Sequence, residues 1–324
     1  MKRLIIYHAN CMDGLVAAWV FHRHLPDGET EYLPAKYGDP PPDVTGKSVR
    51  ILDFSYPREV LIDMELRAAD LLVLDHHESA EKALEGLDFC VFDKEESGAS
   101  LALQWFFGVS GSSSSYPAVN LIVPYVRDRD LWKHELPGSK EFNAALRSYP
   151  PTFEFLDRLL DRDAESLKAQ FIEEGKSILR VQDSIVSRRK AQAERKEVAL
   201  PDGTVSVWHV VNATEYLSEV AGGLAEDTLD TGCCWFEGGN GTRVYSLRST
   251  PAGNPVNTVA ELFGGGGHRN AAGFTLPPNS LHPWDMASNR DMPCIGCPAL
   301  KTCDFKFDSY NYGAVAGIDC LATK

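Results

Sequence analysis

Asp75-His76-His77 stands directly after an apolar run, Leu71-Leu72-Val73-Leu74. One carboxylate beside two imidazoles is a donor set for a divalent cation of hard or borderline character. The pattern recurs along the chain. His8 and Asp13 follow Leu4-Ile5-Ile6-Tyr7, and Asp53 closes Ser48-Val49-Arg50-Ile51-Leu52. Asp128 and Asp130 lie within Tyr125-Val126-Arg127-Asp128-Arg129-Asp130-Leu131-Trp132. An isolated His-His pair is usually a surface or capping feature. Carboxylates and histidines set repeatedly after apolar strands are different, because they gather negative charge that is costly unless cations neutralise it. A two-metal centre meets that requirement and can activate water beside a phosphate.

A second cluster is Gly264-Gly265-Gly266-Gly267-His268-Arg269-Asn270-Ala271-Ala272-Gly273. Glycines let backbone N–H groups approach an anion closely and take up positive φ. His268 and Arg269 add donors for phosphate oxygens, and Arg248, at the end of a strand, could reach the same anion. A flexible loop is the competing reading of the glycine run taken alone. A third cluster is Cys294-x2-Cys297-x5-Cys303, followed by Cys320. It is open between three readings: a structural zinc site, an iron–sulfur cluster, and four reduced thiols in a loosely packed tail.

Several elements are needed to place these groups. Apolar runs at Leu4–Tyr7, Ser48–Asp53 and Leu71–Asp75 read as buried strands, separated by helical patterns around Leu15–His22 and from Pro57 to Ala69. That alternation predicts a parallel sheet covered on both faces, with the ligand site at the carboxyl ends of its strands. Those ends carry His8, Asp53 and Asp75-His76-His77. From about Pro150 to Lys196 the spacing predicts helix throughout, with a solvated charged face. After the turn Pro201-Asp202-Gly203 a second mixed region is expected. It has strands near Val205–Val211 and Thr242–Leu247, helices at Ser218–Asp227 and Val256–Phe263, and an end at Pro277-Pro278. Ser110–Ser115 reads as a surface loop.

Composition sets the outer limits. The chain has 324 residues, 44% hydrophobic and 24% charged, enough for two cores. Its formal charge is −14, which disfavours stable binding to duplex nucleic acid by counterion release but leaves small phosphate ligands open. No run reaches the roughly 18 apolar residues of a membrane span. The first apolar stretch is too short for a signal-peptide core, and eight cysteines are too few for a disulfide scaffold. A cytoplasmic protein without a membrane partner is the expectation.

Together the motifs carry a resemblance. His8-Ala9-Asn10-Cys11-Met12-Asp13-Gly14, Asp53-Phe54-Ser55-Tyr56-Pro57, Asp75-His76-His77, Asp128-Arg129-Asp130-Leu131-Trp132 and Gly264–Gly273 occur in one order over residues 1 to about 276. In that order they resemble the DHH phosphoesterase superfamily with its C-terminal DHH-associated domain, in the nanoRNase-like or cyclic-nucleotide-phosphodiesterase-like branch. The resemblance implies an α/β fold with a parallel-sheet DHH catalytic domain (1–149), a helical linker (150–197) and a smaller mixed α/β substrate-binding domain (198–278); a cysteine-rich tail (279–324) lies beyond it.

It also implies two Mn²⁺ ions. His8 and Asp53 would hold one, and Asp13, Asp53, His76 and Asp128 the other, with Asp53 bridging. Asp128 is preferred over Asp130 by its spacing to Trp132. Asp75 would orient a neighbouring histidine, and His77 would face the phosphate beside Asp53 and His76 at the reacting centre. Gly265, Gly266, Gly267, His268 and Arg248 would bind the phosphate. Many relatives carry a further carboxylate between the first histidine and the Asp-Gly pair, where this chain has Asn10, Cys11 and Met12. Either the Asn10 amide or the Cys11 thiolate could take its place.

The expected activity is hydrolysis of short oligoribonucleotides or dinucleotides to mononucleotides. A phosphomonoesterase or pyrophosphatase, and a noncatalytic nucleotide sensor, are the alternatives. Homodimerisation is open.

Overall fold

Alternation along the first strands decides the architecture of the N-terminal half. In β1 (Arg3–His8), Leu4 and Ile6 pack into one core while Ile5 packs into another, so both faces are covered. The same division runs through β3 (Ser48–Leu52) and β4 (Asp70–Asp75), where Val49, Ile51, Leu71 and Val73 face one side. Leu52, Leu72 and Leu74 face the other. These strands belong to a computed structural model that describes residues 2–26, 28–109, 116–200 and 203–286, in two units dividing between Val181 and Gln182.

With β2 (Thr30–Ala35) and β5 (Cys90–Phe92), the first unit builds a five-stranded sheet in the order β2-β1-β3-β4-β5, every neighbouring pair parallel. The chain leaves β1 toward β2 and then returns to the opposite side of β1 at β3. The switch point where a crevice opens at the carboxyl ends therefore lies between β1 and β3. Helix α1 (Met12–His24) is buried continuously from Asp13 to Phe21, which makes it a core helix rather than an amphipathic cover. It packs with α4 (Gly98–Phe107) and α5 (Pro117–Asp130), while α2 (Arg58–Arg67) sends Leu61 and Met64 to the other face. Short α3 (Glu78–Ala83) follows β4, and α6 (Ser139–Ser148) and α7 (Phe153–Asp157) follow α5.

The long helix α8 (Ala164–Lys190) crosses the boundary between the units. Helix does not continue to Lys196 as the spacing predicts, because β6 (Glu194–Ala199) already begins at Glu194. The second unit's sheet runs β10-β11-β9-β8-β7-β6, formed with β7 (Val205–Asn212), β8 (Thr231–Glu237), β9 (Arg243–Arg248), β10 (Gly266–His268) and β11 (Ala271–Leu276). Only the β7–β8 pair is parallel, and α9 (Leu217–Thr228) makes its crossover. One face packs against α10 (Val256–Leu262) through Trp208, Val210, Tyr245 and Phe274, and the other against α9 through Val211 and Cys234. This unit does not end at Pro277-Pro278: Met286 is buried in its core and Ser280 is buried as well.

The fold is thus α/β, with a parallel sheet flanked by helices and a second mixed sheet. No helix among the described residues is long and apolar enough to cross a membrane. Ser110–Ser115 and the tail cysteines Cys294, Cys297, Cys303 and Cys320 lie outside the described residues.

Candidate metal centre

Asp53 sits at the middle of the site. It follows β3 with φ at +63°, a left-handed conformation that costs a non-glycine residue roughly 1 kcal/mol and that Asp tolerates better than most. That turn presents both carboxylate oxygens in the crevice beside the switch point. Oδ1 lies 3.1 Å from His76 Nε2, and Oδ2 lies 3.4 Å from His8 Nδ1. Burial pushes the Asp53 carboxyl up, but the His76 hydrogen bond and the close His8 imidazole outweigh this and hold it well below the usual carboxylate range.

His76 draws the remaining carboxylates together. Its Nε2 is 4.0 Å from Asp13 Oδ2 and 3.4 Å from Asp130 Oδ2. Burial alone would lower its pKa. The Asp53 hydrogen bond and the charges of Asp130, Asp53 and Asp13 overcome that and push it up to about 10. Asp13 and Asp130 are both driven above the ordinary carboxylate range, first by burial and then by their carboxylate neighbours, with His76 opposing. Protein side chains alone therefore leave an excess of buried anions, the condition a bound cation relieves. Two donor groups share Asp53: Asp13, Asp53 and His76, and His8, Cys11 and Asp53, each with ligand atoms within 4.8 Å of one another. The Asp53 Oδ2 and His8 Nδ1 atoms are both buried without a hydrogen-bond partner.

Asp13 is fixed by an element the motif reading did not include. Ser97 caps α4 in a reciprocal arrangement with Ser100, and its hydroxyl donates to Asp13 Oδ1 at 2.6 Å. The backbone N–H groups of Gly98 and Ala99 donate to Asp13 at 2.5 and 3.0 Å, so this carboxylate rests on the positive end of a helix. A Cβ on Gly98 would stand 2.5 Å from Asp53 Cβ and 2.9 Å from Asp13 Oδ2. Glycine is the residue this approach permits. Ser97 is a residue type favoured at a helix N-cap, but the usual Glu or Gln three residues on is replaced by Ser100.

Asp75 has both oxygens engaged away from the Asp13, Asp53 and His76 donor group. Its Oδ2 accepts from Ser55 at 2.6 Å, and its Oδ1 accepts from the His76 backbone N–H at 2.7 Å and pairs with His77 Nδ1 at 2.7 Å. Although burial opposes charge on both partners, this pair holds Asp75 below and His77 above their ordinary values. Tyr37, 54% exposed, brings its ring within 5.8 Å of the His8 ring and 6.1 Å of His77. No spacing signal marked it.

Asp128 is not brought to His76 in the structure. Its carboxylate accepts from the backbone N–H groups of Glu135 at 2.9 Å and Leu136 at 3.4 Å, binding down the loop after α5. The carboxylate beside His76 belongs to Asp130. The structure brings His8, Asp13, Asp53 and His76 together, with Cys11 beside His8 and Asp53, while Asn10 is exposed.

In the second unit the glycine run is not an open loop. Gly266 pairs with Gly273, Gly267 with Ala272 and His268 with Ala271 in a hairpin. A Cβ on Gly265 would meet the Gly273 carbonyl oxygen at 2.1 Å, so close backbone packing already requires the glycine. Ala271 also pairs with Arg248 on its other side. The register therefore sets His268, Ala271 and Arg248 in one row on the same sheet face. The Arg248 guanidinium donates to Ser218 at 2.7 Å and to the Leu247 carbonyl at 2.8 Å.

No protein-family profile matches the chain. The uncharacterized protein R106 of Acanthamoeba polyphaga mimivirus is 25% identical over 295 residues, covering 84% of this chain and 67% of its own. Similar solved structures include a pGpG-specific phosphodiesterase, PggH, from Vibrio cholerae, with 13% identity and a TM-score of 0.41 over 86% of this chain and 94% of that one. The DHH domain of a member of a ribosomal-protein family has 14% identity and a TM-score of 0.48, over 84% and 82%. An exopolyphosphatase-related protein from Bacteroides fragilis has 15% identity and a TM-score of 0.41, over 84% and 86%. The order of the motifs resembles that of the DHH superfamily, and the ends of the parallel strands carry His8, Asp53 and Asp75-His76-His77 among them.

Proposed function

We propose that the chain is a metal-dependent phosphodiesterase that hydrolyses short oligoribonucleotides or dinucleotides to mononucleotides. The observation that carries this reading is the sharing of Asp53, whose two buried oxygens face His76 on one side and His8 on the other. That is the arrangement of a bridging carboxylate, and the unpartnered Asp53 Oδ2 and His8 Nδ1 atoms fit a ligand-binding role. Manganese suits the oxygen-rich set of Asp13, Asp53, His76 and Asp130. Two divalent cations would supply charge neutralisation and an acidified water next to the phosphate.

The chain's own residues account for the remaining tasks. Ser97 and the N-terminus of α4 fix Asp13, and Asp75 fixes the ring of His77 through Nδ1. Because Asp75 favours the charged imidazole, His77 Nε2 is the group to donate a proton to the departing ester oxygen. Tyr37 offers an exposed ring for stacking on a base, a contact that does not depend on sequence. In the second unit, the Arg248 guanidinium, in one row with His268, is a donor suited to a substrate phosphate.

The test is incubation with Mn²⁺ and a panel of dinucleotides, short RNAs, cyclic dinucleotides, phosphomonoesters and pyrophosphate. Release of mononucleotides from the dinucleotides, stopped by EDTA and restored by Mn²⁺, is expected. Turnover confined to pyrophosphate or monoesters would replace this reading with another phosphoesterase. Ligand-induced stabilisation without consumption would replace it with a sensor.

A further inference from the structure

Cys11 occupies the N-cap position of α1, yet its side chain makes no capping hydrogen bond. Its backbone carbonyl serves the helix by accepting from Leu15 N–H at 3.1 Å, and the sulfur stands against the Gly14 N–H in the first turn. Its Sγ also lies with His8 and Asp53, the ligand atoms of all three within 4.8 Å of one another. A cysteine alone would mean little. The second observation is the Asp53 carboxylate, 1% exposed, whose Oδ2 has no hydrogen-bond partner and faces a His8 Nδ1 in the same condition at 3.4 Å. A buried carboxylate oxygen and an imidazole nitrogen that face each other without a hydrogen bond, beside a thiol, form a mixed O/N/S donor set.

We propose that Cys11 is a thiolate ligand to the cation held by His8 and Asp53, so that the two halves of the centre differ in the ion they prefer. The thiol gives its proton to solvent as the sulfur–metal bond forms, and no change of oxidation state is involved. A soft sulfur donor favours zinc or cobalt in this half. The half made by Asp13, Asp53, His76 and Asp130 has three carboxylates to one imidazole and suits manganese. The proposal rests on the two-cation reading of the centre.

Cobalt titration of the metal-stripped full-length protein under anaerobic conditions tests both levels separately. The expected result is an intense sulfur-to-cobalt charge-transfer band in the near ultraviolet. A fraction of it equal to one cobalt per chain should be lost in Cys11→Ser. Any band from the tail cysteines is common to both proteins and cancels in the difference. Cys11→Asp should keep two bound cobalt ions without that fraction of the band, and its preference for zinc over manganese at one position should fall about tenfold or more. Identical difference spectra, with two cobalt ions still bound and lost on His8→Ala and His76→Ala, would overturn the thiolate ligand while leaving the centre intact. Cobalt binding that none of Cys11→Ser, His8→Ala or His76→Ala alters would remove the centre itself, and the proposal with it.

Discussion

Asp128 and Asp130 stand two residues apart on α5, which turns their side chains about 200° from one another around the helix axis. One can face His76 only if the other faces away. Asp130 takes the first position, 3.4 Å from Nε2, and Asp128 takes the second, accepting from Glu135 and Leu136. The two residues should therefore fail differently. Asp130→Asn is expected to weaken divalent-cation binding roughly 100-fold while the thermal transition stays near that of the parent. Asp128→Ala leaves buried backbone donors unpaired and should cost about 2 kcal/mol of stability, with cation affinity much less changed. Calorimetric metal titration and thermal unfolding of both variants check this. The reverse pattern would return Asp128 to the centre. Sequence spacing could not decide between them, since both are flanked by arginine and both precede Leu131-Trp132.

At the scale of elements, the strands that carry chemistry are the ones the sequence made plain. Runs such as Leu71–Leu74 are apolar without interruption because both faces of their sheet are covered. The edges were hidden for the opposite reason. β2 contains Pro34 and exposes several side chains, β5 has three residues, and β6 reads Glu194-Arg195-Lys196-Glu197, a charged edge that imitates the end of a helix. The support of Asp13 by α4 was equally hard to place, since Ser97 is 84 residues away in the chain. That contact yields a prediction: Gly98→Ala, by forcing Asp53 and Asp13 apart, should lower cation affinity and turnover about tenfold with α4 still formed. Metal titration beside circular dichroism would show it, and an unchanged affinity would mean that the two carboxylates can shift without consequence. In the second unit, His282 stacks on Trp284 at 4.5 Å and meets the Tyr245 hydroxyl at 2.8 Å. Burial, then Arg243, holds its pKa below the ordinary value. The unfolded chain accordingly takes up this proton first, so stability should decline as pH falls through about 6.5. Unfolding midpoints between neutral and mildly acid pH should show a shallower decline in His282→Gln. An equal slope would place the effect on other groups.

At the scale of the whole molecule the governing quantity is charge. A formal −14 over 324 residues sets a repulsive field against any long polyanion, whereas a dinucleotide brings only one or two phosphates into it. The donors proposed for phosphate are local, Arg248 and His268 in one row of the second sheet. Two consequences follow for a phosphodiesterase built this way. Hydrolysis of a dinucleotide should be faster than that of a long structured RNA at equal phosphodiester concentration. Added monovalent salt should then narrow the gap, because screening over a Debye length of about 8 Å at physiological ionic strength weakens the repulsion that excludes the polymer. A protein that holds RNA by displacing counterions behaves in the opposite sense, losing affinity steeply as salt rises. Measuring kcat/KM for both substrates across a salt series therefore distinguishes the two by sign: a ratio of long to short that climbs with salt supports selection by exclusion, and one that falls would require a binding surface for the polymer that the acidic composition argues against.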